Sequence, residues 1–339
     1  MKQIVFTGVN QAELLSVEMP AMSDDEVLVK LAYTTVSGGT EKAGITGETN
    51  IGPVTQKVAV FPRYFGYSGA GVVEKVGKNV KRFQVGDRVA CFWGVHAQYA
   101  VYDETRLVKV PDGVSLREAA VALIATFPMA AIRKTYLEYG ESAIVMGLGV
   151  LGLIGVKLLK VAGAVPVIAA DPVPERRELA LKCGADYAFD PLAPDFVEQV
   201  KAVTNGGVNV AIEVTGMGAG LNEALDCMAR YGRISLLGCT RKFDFTVDYY
   251  KKVHLPGITI VGAHTAARPK FESAPGYWTE RDDVEALFRL ILHGRMGLGE
   301  LLSEVHSPTD APAVYDRLIH DKNFPIGLQF DWSQLDDEK

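Results

Sequence analysis

Apolar positions in the first hundred residues come as short runs broken by turn residues. Met1–Gly8, Glu26–Leu31, Gly71–Val76 and Tyr99–Tyr102 each read as a strand, and Val85–Val89 reads as a turn feeding another. Valine-rich runs of that length, bounded by Gly, Asp and Asn, predict an irregular β-rich domain. Near residue 113 the texture changes. Ser115 stands three residues before Glu118, the spacing of a helix capping box. From Glu141 onward, strand candidates at 142–146, 165–170, 187–189, 208–214 and 232–237 alternate with segments long enough for helices. That alternation predicts a parallel sheet with helices on its faces. After Gly262 the pattern is mixed, with a helix expected near Asp282–Leu292, short strands to Phe330, and a polar tail from Asp331 to Lys339. The expected boundaries are 1–125 for the β-rich part, 126–265 for the α/β part and 266–339 for a segment that returns to complete the first.

Composition narrows the class. Of 339 residues, 48% are hydrophobic and 22% charged, so there is ample material for a core and the chain is not disordered. The 41 acids exceed the 35 bases, and no basic run is longer than two residues, which argues against a nucleic-acid partner. Cys91, Cys183, Cys227 and Cys239 lie far apart, without zinc-knuckle or redox spacing, and read as reduced thiols of a cytoplasmic protein. The N-terminus lacks the apolar core of a signal peptide. The uncharged stretch Ala143–Val156 is too short and too glycine-rich to span a membrane, so no membrane partner is expected.

That same stretch carries chemistry. Gly147-Leu148-Gly149-Val150-Leu151-Gly152 is a G-x-G-x-x-G that follows a predicted strand and opens a helix with Ile154, Leu158 and Val161 along one face. Gly147 permits the tight turn, Gly149 lets backbone approach a pyrophosphate, and Gly152 allows helix–strand packing. The helix N-terminus offers unpaired N–H groups and a favourable dipole to the phosphates. Asp171, 19 residues beyond Gly152 at the end of the next strand, is placed to accept ribose hydroxyls. A carboxylate there repels a 2′-phosphate and favours NAD over NADP, although Arg176 and Arg177 nearby are the kind of residue that hosts that phosphate. Ligands of open α/β sheets bind beyond the carboxyl ends of strands, so Thr215, Gly238 and His264 are expected cofactor neighbours.

With these features in order, the chain resembles the medium-chain dehydrogenase/reductase superfamily of alcohol dehydrogenase-like proteins. The resemblance spans nearly the whole chain: Gly38-Gly39-Thr40-Glu41, Gly66-Tyr67-Ser68-Gly69-Ala70-Gly71-Val72-Val73, Val85-Gly86-Asp87-Arg88-Val89, His96-Ala97-Gln98-Tyr99, the 147–152 loop and Cys183-Gly184-Ala185-Asp186. It implies a doubly wound Rossmann α/β sheet inserted into a GroES-like β-rich catalytic domain, and a homodimer or homotetramer paired through strands such as Gly257–Val261. Zinc-dependent members carry a Cys, a His and a Glu where this chain has Gly38, Tyr67 and Ser68. The stretch Ala122–Ala130 offers no Cys, His or Asp for a third ligand, and the four-cysteine structural lobe is missing. The resemblance therefore points to a zinc-independent branch.

Without zinc, alcohol oxidation needs another base and another stabiliser of the alkoxide. Tyr67 occupies a former ligand position, and a cation beside it, Lys42 or the nicotinamide ring, is expected to lower its pKa. Thr40 matches a proton-passing hydroxyl of the zinc relatives, and Glu41 matches an acid supporting the metal site. Lys42 is a base if buried, and His96 is the histidine expected to face the cleft. Trp278 and Tyr64 are candidate pocket walls. The first expectation is an NAD-dependent dehydrogenase of a secondary hydroxyl on a polyol, sugar or sugar derivative. The alternatives are a quinone or enone reductase and a nucleotide-binding protein without turnover.

Overall fold

The computed structural model describes residues 1–48, 59–241 and 245–335, and the chain divides into two units: Met1–Ile124 with the chain from Val284 onward, and Ala125–Asp283. The first unit opens with β1 (Lys2–Gly8), β2 (Gln11–Ser16), β3 (Glu26–Thr35), β4 (Ser68–Val76), β5 (Arg88–Phe92), β6 (Tyr99–Asp103) and β7 (Leu107–Lys109). The second holds β8 (Ala143–Met146), β9 (Val167–Ala170), β10 (Tyr187–Phe189), β11 (Val208–Glu213), β12 (Met228–Leu236) and β13 (Thr259–Gly262). Two short strands, β14 (Glu304–His306) and β15 (Leu328–Asp331), return to the first unit.

In the first unit β1 and β2 form a hairpin, and the larger sheet runs β14-β15-β3-β4-β5-β7 with β6 also on β3. β3 organises it. Its alternating Val27, Val29 and Leu31 are buried, as a half-buried strand requires. One edge of β3 pairs with β4, while the other is shared by β6 at Glu26–Lys30 and β15 at Tyr33–Thr35. The core gathers Phe6, Ile45, Val73, Tyr315, Phe330 and Trp332, so aromatic residues of the returning segment close a core begun at the N-terminus. Ser115 caps its helix as expected, accepting from the Glu118 N–H at 3.1 Å.

The second unit is a six-stranded parallel sheet in the order β10-β9-β8-β11-β12-β13. Strand order reverses between β8 and β11, the switch point at which doubly wound sheets bind nucleotides. The helix Val150–Ala162 follows β8 and buries Leu153, Ile154, Val156, Leu158 and Leu159. Of the face expected from Ile154, Leu158 and Val161, the first two are buried, and Val161 in the last turn is 36% exposed. The helix stops at Gly163, whose φ of 90° suits a glycine C-cap.

One expected boundary moves. Residues 266–283 belong with the parallel sheet rather than with the returning segment. Arg268 donates to Thr126 Oγ1 at 3.0 Å and to the carbonyls of Trp278 and Thr279, and Asp283 accepts from Arg133 at 2.8 Å as well as from Arg268. A buried carboxylate between two guanidiniums is a strong local tie that composition does not announce. Of the expected polar tail, 331–335 ends β15 and forms a short helical turn with Trp332 and Leu335 buried, and residues 336–339 lie outside those described.

Candidate active site

The glycine loop has the geometry its spacing implies. Gly147 adopts φ +96°, which a side chain would strain. A Cβ on Gly152 would sit 1.9 Å from the Gly147 carbonyl oxygen, whereas one on Gly149 would meet nothing within 4 Å among the described residues. Open space at Gly149, at the cap of a 13-residue helix, is the cradle that a pyrophosphate fits. Leu148 is buried, and Val150 and Leu151 are half-buried in the first turn. The residues present therefore suit a dinucleotide.

Asp171 departs from its expected posture. It is 4% exposed, and its carboxylate turns into the loop: Oδ2 accepts from Leu148 N at 2.8 Å and Oδ1 from Val173 N at 2.9 Å. A buried carboxylate needs donors, and these amides are the ones at hand. The expected ribose acceptor thus also braces the glycine turn. Arg176 pairs with Asp171 at 3.7 Å, and Arg177 donates to the Asp171 and Pro172 carbonyls and pairs with Asp190.

Thr215 lies beside Gly147, its Cγ2 3.0 Å from where a Gly147 Cβ would stand, and Gly238 packs backbone to backbone against Gly216. The loops after β8, β11 and β12 thus meet at one end of the sheet. Glu213, not singled out from the sequence, organises this end. Its carboxylate accepts from Thr215 N at 2.8 Å, from the Thr215 hydroxyl and from Gly216 N at 3.2 Å, while burial raises its pKa. An acid closing a strand that is apolar but for Asn209 was the available signal. His264 is exposed, and its Nδ1 accepts from Ala266 N within its own loop. The Trp278 ring lies under the Arg133 guanidinium at 3.6 Å, a packing contact inside the second unit. Tyr64 is 53% exposed.

In the first unit the expected polar residues divide into a buried set and an exposed set. Glu41 and His96 are 0% and 1% exposed. Glu41 Oε1 accepts from Ser37 N at 2.8 Å, and Oε2 accepts from the Tyr315 hydroxyl at 2.6 Å and lies 3.2 Å from His96 Nε2. His96 Nδ1 lies 2.7 Å from Thr34 Oγ1, which accepts from Trp332 Nε1 at 2.9 Å. The arrangement that satisfies each of these atoms puts the His96 proton on Nε2, toward Glu41, with the Thr34 hydroxyl donating to Nδ1. Burial and the Glu41 charge raise the Tyr315 phenol well above its usual value, so it stays a donor. Glu41 and His96 are therefore corrected from substrate-facing groups to interior ones.

Thr40 and Lys42 are exposed on the helix Gly38–Thr46, so the burial on which the lysine-base reading depends is lacking. Tyr67 is half-buried just before β4. Its hydroxyl donates to Ser37 Oγ at 2.6 Å, and its ring lies 5.5 Å from that of Trp93. The former metal-ligand positions hold no matching donors: Gly38 has no side chain, and the Ser68 hydroxyl donates to the Ala120 carbonyl at 2.7 Å. Among the described residues no cluster of three or more His, Cys, Asp or Glu is placed to hold a metal ion. The donor set does not fit the tetrahedral zinc of this fold's zinc-dependent members.

Known proteins resemble this chain over most of its length. Residues 23–112 match the alcohol dehydrogenase GroES-like domain, and residues 150–276 match the zinc-binding dehydrogenase family. D-guloside 3-dehydrogenase of Shigella flexneri is 26% identical over 97% of this chain and 100% of its own length. L-threonine 3-dehydrogenase of Pyrococcus horikoshii is 31% identical over 74% of this chain and 79% of its own. Galactitol-1-phosphate dehydrogenase from Escherichia coli superposes with a TM-score of 0.84 at 18% identity, covering 98% of this chain and 100% of that one. A short-chain alcohol dehydrogenase from Escherichia coli CFT073, complexed with NADH, superposes with a TM-score of 0.82 at 20% identity, covering 98% and 99%.

Proposed function

The chain belongs to the alcohol dehydrogenase-like medium-chain dehydrogenase/reductase superfamily and is a pyridine-nucleotide oxidoreductase acting on CH–OH groups; from that premise we propose that it is a zinc-independent, NAD-dependent dehydrogenase. Its substrate in this reading is a secondary hydroxyl of a polyol, sugar or sugar derivative. CH–OH chemistry displaces the readings as a double-bond reductase or a protein without turnover.

One observation carries zinc independence: Gly38, Tyr67 and Ser68 stand at the ligand positions, and the hydroxyls of Tyr67 and Ser68 are bonded to Ser37 and Ala120. Support for a polyhydroxylated substrate comes from the hydroxyl groups of Thr40 and Tyr67 and the exposed Lys42, and from the D-guloside relative, which aligns end to end. Support for NAD comes from Asp171, whose carboxylate opposes a 2′-phosphate, and from Arg176 and Arg177, both already engaged. Gly147–Gly152, Thr215, Gly238 and His264 complete the proposed cofactor set. When bound, the oxidised nicotinamide supplies a hydride acceptor. The chain's own task is to orient the alcohol and take its proton, and Tyr67 is the residue proposed to meet the substrate oxygen.

The same reading makes the chain a cytoplasmic homodimer or homotetramer, without nucleic-acid or membrane partners. It is supported by β13, which ends the six-stranded sheet with Ile260 39% exposed. Among the described residues no helix is long and apolar enough to cross a membrane. The test is a panel of polyols, sugars and simple alcohols offered to chelator-treated protein with NAD or NADP. Turnover with NAD and a polyhydroxylated compound is expected; turnover confined to simple aliphatic alcohols, or to NADP, would contradict the proposal.

A further inference from the structure

Ser37 stands at the N-cap of the helix Gly38–Thr46, where a serine oxygen ordinarily accepts a first-turn N–H. Here it makes no such bond. Glu41 ties this end instead: besides the helix's own first bond, from the Glu41 N–H to the Ser37 carbonyl at 2.9 Å, its carboxylate accepts the Ser37 N–H at 2.8 Å. The serine hydroxyl is released from the helix and accepts the Tyr67 phenol proton at 2.6 Å. A phenol whose single proton is committed to Ser37 acts toward another hydroxyl only as an acceptor. With the phenol as the donor of this pair, the order runs from alcohol to Tyr67 to Ser37.

We propose that Ser37 is a positioning residue for proton transfer: it takes the phenol proton of Tyr67 as Tyr67 takes the proton of the substrate hydroxyl, and buried Glu41 holds it in place. This rests on the reading of Tyr67 as the group that meets the alcohol. The substrate O–H bond breaks as an O–H bond to Tyr67 forms. The original Tyr67 proton passes to Ser37 Oγ, and the original Ser37 proton passes to a water at the small part of Ser37, 8%, that is left exposed. The carbinol C–H electron pair leaves with the hydride for the oxidised nicotinamide, so the alcohol loses two electrons and one proton is released. Beneath this pair, Tyr315 and His96 hold Glu41, while Thr34 and Trp332 hold His96. This interior gives the Ser37 backbone one position rather than several.

The test compares Ser37→Ala, Ser37→Thr and wild type in the full chain, following kcat and both KM values against pH. Ser37→Ala is expected to lose about a hundredfold in kcat near neutrality, with KM for NAD unchanged and activity recovering as rising pH lets hydroxide take the proton. Ser37→Thr keeps the hydroxyl and is expected to restore most of the rate. Should alanine fail to fold, Ser37→Cys, similar in size but a poor acceptor, is expected to behave as alanine does. A Ser37→Ala or Ser37→Cys profile parallel to wild type across pH would overturn this inference alone. A wild-type chain that oxidises no secondary alcohol would overturn the proposed function with it.

Discussion

At the residue scale the glycine loop separates two kinds of constraint that one motif conflates. Gly152 is required by the fold, since a Cβ there would collide with a backbone oxygen at 1.9 Å. Gly149 meets nothing among the described residues, and its φ of −71° suits any residue, so its requirement is assigned to a ligand. Gly152→Ala is therefore expected to cost about 1–3 kcal/mol or more, visible as a lower Tm without cofactor. Gly149→Ala is expected to keep the wild-type Tm while weakening NAD binding about tenfold or more, measured by calorimetric titration. Equal loss of Tm in both variants would contradict the assignment. The spacing of these glycines was legible in the sequence because each answers to a local rule. The posture of Asp171 was not, because its partners Leu148 and Val173 are backbone amides that any residue supplies.

At the element scale the strands of the parallel sheet follow their apolar runs closely, since a strand buried on both faces has few ways to be written. What joins them is less visible. Arg233 in β12 grips Glu141, just before β8, through both terminal guanidinium nitrogens. Burial alone would raise the Glu141 pKa, but the hydrogen bonds from Arg233 and from Glu138 N, with the Arg233 charge, bring it below the usual carboxylate value. Stability from this pair is therefore present above the unfolded-state pKa and lost as pH falls through the lowered folded-state value. Glu141→Gln is expected to cost about 1 kcal/mol near neutrality, and the difference from wild type should vanish in acid. Denaturant unfolding at both pH values checks this, and a deficit that persists in acid would contradict the pairing. Glu141 and Arg233 are 92 residues apart, too distant for any helical or strand period to connect them.

At the scale of the whole molecule, the interior under Tyr67 depends on chain closure. Tyr315 and Trp332 reach Glu41 and Thr34 across 274 and 298 residues, which is why Glu41 and His96 read from the sequence as cleft residues. Family motifs located both side chains, and only the returned segment turned them inward. The exposed edge at β13 leads to a prediction of its own: Ile260→Lys is expected to shift the protein toward monomer in sedimentation, with each unit still folded. An unchanged sedimentation coefficient for a dimeric or tetrameric wild type would remove β13 from the interface. The central claim, hydride transfer from a secondary carbinol to NAD without zinc, is tested most directly with a polyol deuterated at its carbinol carbons. Chelator-treated protein, NAD and this substrate are incubated together, and the reduced nucleotide is examined by mass spectrometry. The account predicts a reduced nucleotide carrying the deuterium. Reduction that appears only after zinc is restored, or no labelled nucleotide at all, would contradict it.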